Sequence, residues 1–237
     1  MPSFSSIALA IALAVAGYLH DRCMTPPNKV TTPHPTDRIR LAVSPQNLYL
    51  ARIANIALIY HILVTLFSTS SPSDQQTLAK LCPFPSHLNL DVSTVSWSPR
   101  TVAYLALVAG GAYLRLGAYA GLGRNFTYEL AKPDRLTTSG IYAYLQHPSY
   151  TGMALELAGY YGLLVNALDT PVACLIPGFL LGFLRTWELP FLMVQSTIFV
   201  SFFTMRIRDE EKMLREKFGR VWEVWHKRTA RVIPWVF

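Results

Sequence analysis

Five long apolar blocks separated by polar segments set the limits on this chain: Ser6–Leu19, Asn47–Phe67, Thr101–Leu122, Ser149–Val165 and Pro171–Met205. A helix needs about 20 predominantly apolar residues to cross a bilayer. The 237 residues are 51% hydrophobic and 15% charged, whereas soluble domains average about 25% charged. There is room for about four to six spans and for little independent soluble domain. The expected fold is all-α: a polytopic integral membrane helical bundle with about five transmembrane helices and a C-terminal interfacial helix. Residues 1–122 supply the N-terminal spans and loops, and residues 123–237 a membrane-embedded region that carries the chemistry.

Ser6–Leu19 reads as a retained first span, with a cleaved signal as the alternative, because no Lys or Arg precedes it. His20–Gln46 is a Pro- and Thr-rich loop holding Arg22, Lys29, Arg38 and Arg40, and Ser68–Ser98 is a polar loop with few cations. In the third block Gly110, Gly111, Gly117 and Gly121 either admit a neighbouring helix closely or face lipid without consequence. Pro171–Met205 is long enough for nearly two crossings. Pro177, Arg185, Glu188 and Pro190 predict a break at Trp187–Pro190 that leaves a spanning part and a re-entrant or interfacial part. Arg206–Arg231 reads as one charged helix ended by Pro234. Cys23, Cys82 and Cys174 are isolated and odd in number, which predicts free thiols and no metal site.

The formal net charge is +7, with the basic residues near the ends of the apolar blocks. That distribution suits a membrane surface and gives no separate basic module for nucleic acid. Loops rich in Lys and Arg stay cytosolic. The first loop, the Arg124–His147 loop and the C-terminus are then cytosolic, and the N-terminus is lumenal or external. If Arg124–Pro148 and Arg206–Arg231 meet at one site, an even number of crossings separates them, so Pro171–Met205 makes one net crossing.

Two polar motifs stand out. The first is Leu136-Thr-Thr-Ser-Gly-Ile-Tyr142 followed by Gln146-His-Pro-Ser-Tyr150. Gly140 permits a turn and Pro148 fits the first turn of a helix, which puts His147 and Tyr150 at the mouth of the fourth span. Backbone N–H groups at that helix start could hold a carboxylate; a plain polar cap is the alternative. The second motif is Arg206-Ile-Arg-Asp-Glu210-Glu211, then Leu214, Phe218-Gly219 and Trp222. Arg206 and Glu210 share a helix face, as partners in a site or as a surface pair. Ile207, Leu214, Phe218, Val221, Trp222 and Trp225 form an apolar stripe that either rests among headgroups or packs on the bundle.

Together the motifs resemble the isoprenylcysteine carboxyl methyltransferases over roughly residues 123–234, nearly half of the chain. The resemblance implies an all-helical endoplasmic reticulum enzyme that uses S-adenosyl-L-methionine to methylate the C-terminal carboxylate of prenylated CaaX-type proteins. The family's cofactor-binding positions fall on Leu136, Tyr142, His147, Pro148, Ser149, Tyr150 and Glu210. Its catalytic, substrate-contacting arginine falls on Arg206. A further polar cofactor contact has no clear counterpart; Thr127 and Glu129 lie nearest. A terminal carboxylate, with a reference pKa of about 3.5, is already ionised at neutral pH and needs no general base. A phospholipid N-methyltransferase is the nearest rival, but a cation at Arg206 sits poorly beside a cationic acceptor. A sterol reductase and a non-catalytic scaffold are more distant. Asn125-Phe-Thr127 is a glycosylation sequon; on the cytosolic side it would stay unmodified.

Overall fold

The computed structural model describes residues 2–28, 46–67, 82–84, 95–164 and 170–233. Lys29, Arg38, Arg40, most of Ser68–Ser98, Val165 and Pro234 lie outside the described residues. The described residues form helices α1 Phe4–Met24, α2 Gln46–Phe67, α3 Pro99–Leu122, α4 Pro148–Leu164, α5 Gly178–Phe218 and α6 Arg220–His226. Short 3-10 turns lie at Gly123–Asn125, Gly140–Ala143 and Pro171–Leu175. No strand occurs among the described residues, and the all-helical expectation holds. Helices occupy all five apolar blocks. By length and composition three qualify as membrane spans among the described residues: Phe4–Met24, Pro99–Asn125 and Gly178–Phe218. The apolar stretch Ala51–Phe67 is shorter, and α4 has 17 residues with Glu156 inside.

The contacts divide the chain into two compact units, each discontinuous in sequence. The first comprises Met1–Asp21, Leu50–Ala109 and Glu156–Met193. Leu9, Leu13 and Ala16 repeat at helical spacing on α1 and bury against Leu58 of α2, Val108 of α3 and Tyr160, Leu163 and Leu164 of α4. A buried polar cluster completes this core. His20 Nδ1 lies 2.8 Å from Glu156 Oε1, the His20 ring stacks on Tyr160 at 3.8 Å, and the Tyr160 hydroxyl donates to Asn55 Oδ1 at 2.5 Å. Ile53, Ile56 and Ile59 of α2, like Phe179 and Leu189 of α5, point their apolar side chains outward. A hydrocarbon environment accommodates them without cost.

The second unit comprises Arg22–Tyr49, Gly110–Leu155 and Val194–Phe237. Its apolar core gathers Leu130, Met213, Leu214 and Trp222, with Leu136, Phe218 and Trp225 packed against them.

Four expectations need correction. Pro171–Met205 does not break at Trp187–Pro190: α5 runs unbroken for 41 residues with Pro190 inside it. Proline forfeits one backbone hydrogen bond, which a long apolar helix tolerates. The charged segment Arg206–Arg231 is not one helix. It ends α5 at Phe218, turns at Gly219 with φ +52, a left-handed value that glycine adopts without strain, and restarts as α6. Cys82 and Cys174 are not free thiols. Their Cα atoms lie 5.1 Å apart and they form a disulfide, while Cys23 is free and buried. Isolated spacing carries no information about a pair 92 residues apart. Finally, α1 runs on to Met24, so residues 20–24 are helix where a loop was expected. The close approach foreseen at the α3 glycines occurs at Gly111, against Gly152 of α4. A Cβ at Gly152 would come within 2.6 Å of Arg115 N and Gly111 O, whereas one at Gly110 would meet nothing within 4 Å.

Candidate active site

The second unit builds its polar region on α3. Arg115 is buried in an apolar helix, where a cation needs partners. Its Nε donates to the Cys23 carbonyl (2.7 Å) and its Nη1 to Ser149 Oγ (3.0 Å), and its guanidinium stands 5.3 and 5.2 Å from the Tyr119 and Tyr128 ring centres. Arg115 thereby ties the start of α4 to the last turn of α1.

After α3 the chain turns at Gly123–Asn125, where Asn28 Nδ2 donates to the Gly123 and Phe126 carbonyls. A second turn at Gly140, with φ +61, carries the chain into Pro148 at the head of α4. The Gly140 turn and the placing of Pro148 agree with the sequence reading. The N–H groups of Tyr150 and Thr151 already donate to the His147 carbonyl (3.1 and 3.3 Å), so the start of α4 does not offer those two groups to a ligand.

The segment after α6 folds back over this turn. The Gln146 and His147 N–H groups donate to the Ala230 and Arg231 carbonyls (2.8 and 2.9 Å), the Gln146 amide nitrogen donates to the Thr229 carbonyl (2.5 Å), and the Thr151 hydroxyl to the Val232 carbonyl (2.6 Å).

These elements enclose a cavity of about 800 Å³ within the second unit, inside the range of small-molecule sites. Leu136, Tyr142, His147, Pro148, Ser149, Tyr150, Arg206 and Glu210 all line it. The sequence separates Tyr150 from Glu210 by 60 residues, yet the Tyr150 hydroxyl donates to Glu210 Oε2 at 2.9 Å. The same hydroxyl accepts from Arg206 Nε at 3.4 Å, and Arg206 Nη2 donates to the Tyr128 carbonyl at 2.7 Å. Arg206 is buried, which removes the reading of Arg206 and Glu210 as a surface pair. The His147 ring lies between two carboxylates, with Nδ1 3.8 Å from Glu210 Oε2 and Nε2 3.5 Å from Glu211 Oε1. Arg231 Nε closes on the same Glu211 oxygen at 3.1 Å.

The charge environment follows. Burial, then the Glu210 carboxylate, pushes the Tyr142 hydroxyl well above its ordinary value, so it stays protonated. Its O–H donates to the Ala118 carbonyl (3.3 Å). Burial alone would raise Glu211, but neighbouring His147 and Arg231 outweigh it and hold the carboxyl below its ordinary value. Burial lowers His226. Ser149 lines the cavity with its hydroxyl engaged by Arg115, and Leu136 and Pro148 supply apolar wall.

Sequence reasoning missed Arg115, Tyr128 and Glu211. A lone arginine inside an apolar block was the available signal for Arg115. Glu211 stood in the quoted motif without a role, and nothing in the sequence marks Tyr128. Thr127 and Glu129 both line the cavity. Thr137 lines it as well, and its buried hydroxyl has no hydrogen-bond partner among the described residues.

Residues 104–186 match the Isoprenylcysteine carboxyl methyltransferase (ICMT) family. The resemblance read from the sequence is borne out. The ICMT match takes in α3, the Gly140 turn and α4, and stops before Arg206 and Glu210. The chain is 32% identical over 155 residues to a protein-S-isoprenylcysteine O-methyltransferase of Schizosaccharomyces pombe, covering 64% of this chain and 55% of that protein. It is 29% identical over 150 residues to a protein of the same name from Xenopus laevis, covering 62% and 44%. The chain spans about half the length of the curated relatives it matches. A solved structure of a eukaryotic intramembrane Ras methyltransferase aligns over 84% of this chain and 70% of that one, with a TM-score of 0.45 at 20% identity, below the level at which a shared fold follows.

Proposed function

We propose that the chain is a protein-S-isoprenylcysteine carboxyl O-methyltransferase. It methylates the terminal α-carboxylate of prenylated CaaX-type proteins with S-adenosyl-L-methionine, and residues 123–237 form its methyltransferase region. The carrying observation is the convergence of Arg206, Tyr150 and Glu210, with Tyr142 and His147, in one cavity. The matches to isoprenylcysteine methyltransferases supply the reaction class.

The cavity suits the cofactor. Its volume is that of a small-molecule site, it presents the Glu210 carboxylate for an ammonium or ribose hydroxyls, and Thr137 offers a buried hydroxyl without a protein partner among the described residues. Leu136, Tyr142, His147, Pro148, Ser149, Tyr150 and Glu210 would hold it. S-Adenosyl-L-methionine supplies, when bound, a methyl group on a positive sulfonium. Arg206 binds the acceptor carboxylate through its planar fork. Tyr150 and the Tyr128 carbonyl fix the guanidinium, so the acceptor meets an arginine already in position. Phe199, Phe202 and Phe203 on α5 form an apolar wall that excludes water, which favours a step in which opposite charges neutralise each other.

The protein works as a multi-pass protein of the endoplasmic reticulum membrane with its active site and C-terminus cytosolic. The Cys82–Cys174 disulfide supports this orientation. In it the Ser68–Ser98 loop and the segment between α4 and α5 are lumenal, and disulfides persist in oxidising compartments.

The test is transfer of radiolabelled methyl from S-adenosyl-L-methionine to a farnesyl-cysteine analogue or to phosphatidylethanolamine by the purified full chain. Label is expected on the first acceptor alone, and Arg206→Ala is expected to abolish it while the protein still inserts. Transfer only to phosphatidylethanolamine, or full activity of Arg206→Ala, overturns the assignment.

A further inference from the structure

A second concavity of about 580 Å³ lies in the same unit. Arg208, Lys212 and Arg215 line it from α5 at spacings of four and three, on one helix face. Lys227 and Arg231 line it from the segment after Gly219. Two carboxylates share the lining. Glu223 pairs with Arg215 at 3.0 Å, and Glu211 with Arg231 at 3.1 Å. Arg208, Lys212 and Lys227 are exposed and have no carboxylate partner among the described residues. The groove is basic after its internal pairs are made.

Its wall also holds an unsatisfied donor. Trp222 is 5% exposed, and its indole N–H has no acceptor among the described residues. A buried donor left without an acceptor is costly. Three unpaired cations lining one concavity match an anion with several acceptor oxygens.

Position along α5 indicates the source of that anion. The apolar run of α5 ends at Met205. At about 1.5 Å per residue, Arg208 and Lys212 lie roughly 5 and 10 Å beyond it. That puts Arg208 within a headgroup layer, roughly 5–8 Å deep on each side of the hydrocarbon core, and Lys212 at its outer edge. The geometry points to a phosphate-binding groove formed by Arg208, Lys212 and Lys227 beside Trp222, which takes the phosphate headgroup of an anionic phospholipid. The groove stands apart from the proposed methyl transfer, and its test needs no turnover.

The purified full chain is titrated with phosphatidic acid in neutral mixed micelles and, separately, with inorganic phosphate, following ligand affinity directly. Phosphatidic acid is expected to bind saturably and inorganic phosphate to compete with it. One cation near an anionic surface is worth about fivefold in affinity, so the double variant Arg208→Gln with Lys212→Gln is expected to bind about 25-fold more weakly. The double variant Arg220→Gln with Arg228→Gln removes the same charge from exposed positions outside the groove and is expected to bind like the wild type. Phosphate binding without phosphatidic acid binding would keep the phosphate site and assign it to a soluble anion. Equal weakening in both double variants, or no binding of either probe, overturns the groove.

Discussion

Tyr150→Phe tests the proposed site most directly, because it removes one oxygen and keeps the ring. That oxygen makes two bonds, donating to Glu210 at 2.9 Å and accepting from Arg206 at 3.4 Å. The second is long for a hydrogen bond, and Arg206 keeps its 2.7 Å bond to the Tyr128 carbonyl. The first dominates. Hydrogen bonds to charged groups contribute about 1.5–3 kcal/mol. The Glu210 side chain is 27% exposed, so water can replace part of the lost bond and the lower end applies. About 1.5 kcal/mol corresponds to roughly a tenfold fall in kcat/KM. The ring contact with Phe203, 5.2 Å between centres, survives the substitution, so the thermal midpoint should fall by only the few degrees that one such hydrogen bond carries. The assay is methyl transfer to a farnesyl-cysteine analogue, with cofactor affinity measured by calorimetry on the same preparation. Weaker cofactor binding would place the loss at Glu210, whereas slower transfer at unchanged affinity would place it at Arg206. A variant with both quantities unchanged would refute the reasoning that Tyr150 joins the two motifs.

Three further outcomes are expected. Gly152→Ala puts a Cβ 2.6 Å from two backbone atoms of α3; overpacking of this kind costs about 1–3 kcal/mol, so the thermal midpoint should fall, and an unchanged midpoint would show that the helices separate freely. Cys174→Ser opens a crosslink across 92 residues and should lower stability by about 2–4 kcal/mol; a denaturation midpoint indifferent both to the substitution and to reductant would contradict the disulfide. Glu211 has a folded pKa held below its ordinary 4.5, so the stability it contributes is present above that value and is lost as pH falls through the lower, folded one. A steepening loss of thermal stability below about pH 4 that Glu211→Gln flattens would bear this out, and identical pH profiles would not.

The bundle was legible in the sequence because lipid imposes a simple rule. Every apolar block long enough to span became a helix, since the backbone has few other ways to satisfy itself there. The punctuation was read less well. Pro190 looks like a breaker, yet in α5 it costs one hydrogen bond among many. Gly219 stood in the second motif without a role, although the chain turns there with a positive φ at the end of the long helix. The glycines of α3 drew notice by number, but Gly111 is where α4 comes close and Gly110 faces nothing, and the facing Gly152 went unread, since a glycine matters by what faces it and not by its neighbours in sequence. The Cys82–Cys174 pair escaped for the same reason.

The two motifs were each ambiguous alone, and burial resolves them in one direction. An arginine and a glutamate four residues apart on a solvated helix contribute about 0.3–0.5 kcal/mol and specify little. Arg206 is 6% exposed and receives the Tyr128 carbonyl from the loop after α3 and the Tyr150 hydroxyl from the head of α4. Desolvating a guanidinium is costly unless its donors are met, so the seating of this end of α5 depends on the loop after α3 and on the head of α4. Arg115 is the residue that assembles them. It binds a carbonyl in the last turn of α1 and the serine in the first turn of α4, and it stands in the block that sequence reading treated as plain membrane anchor. The cavity at Arg206 therefore depends on a cation placed 91 residues earlier, and loss of Arg115 should cost site geometry and stability together.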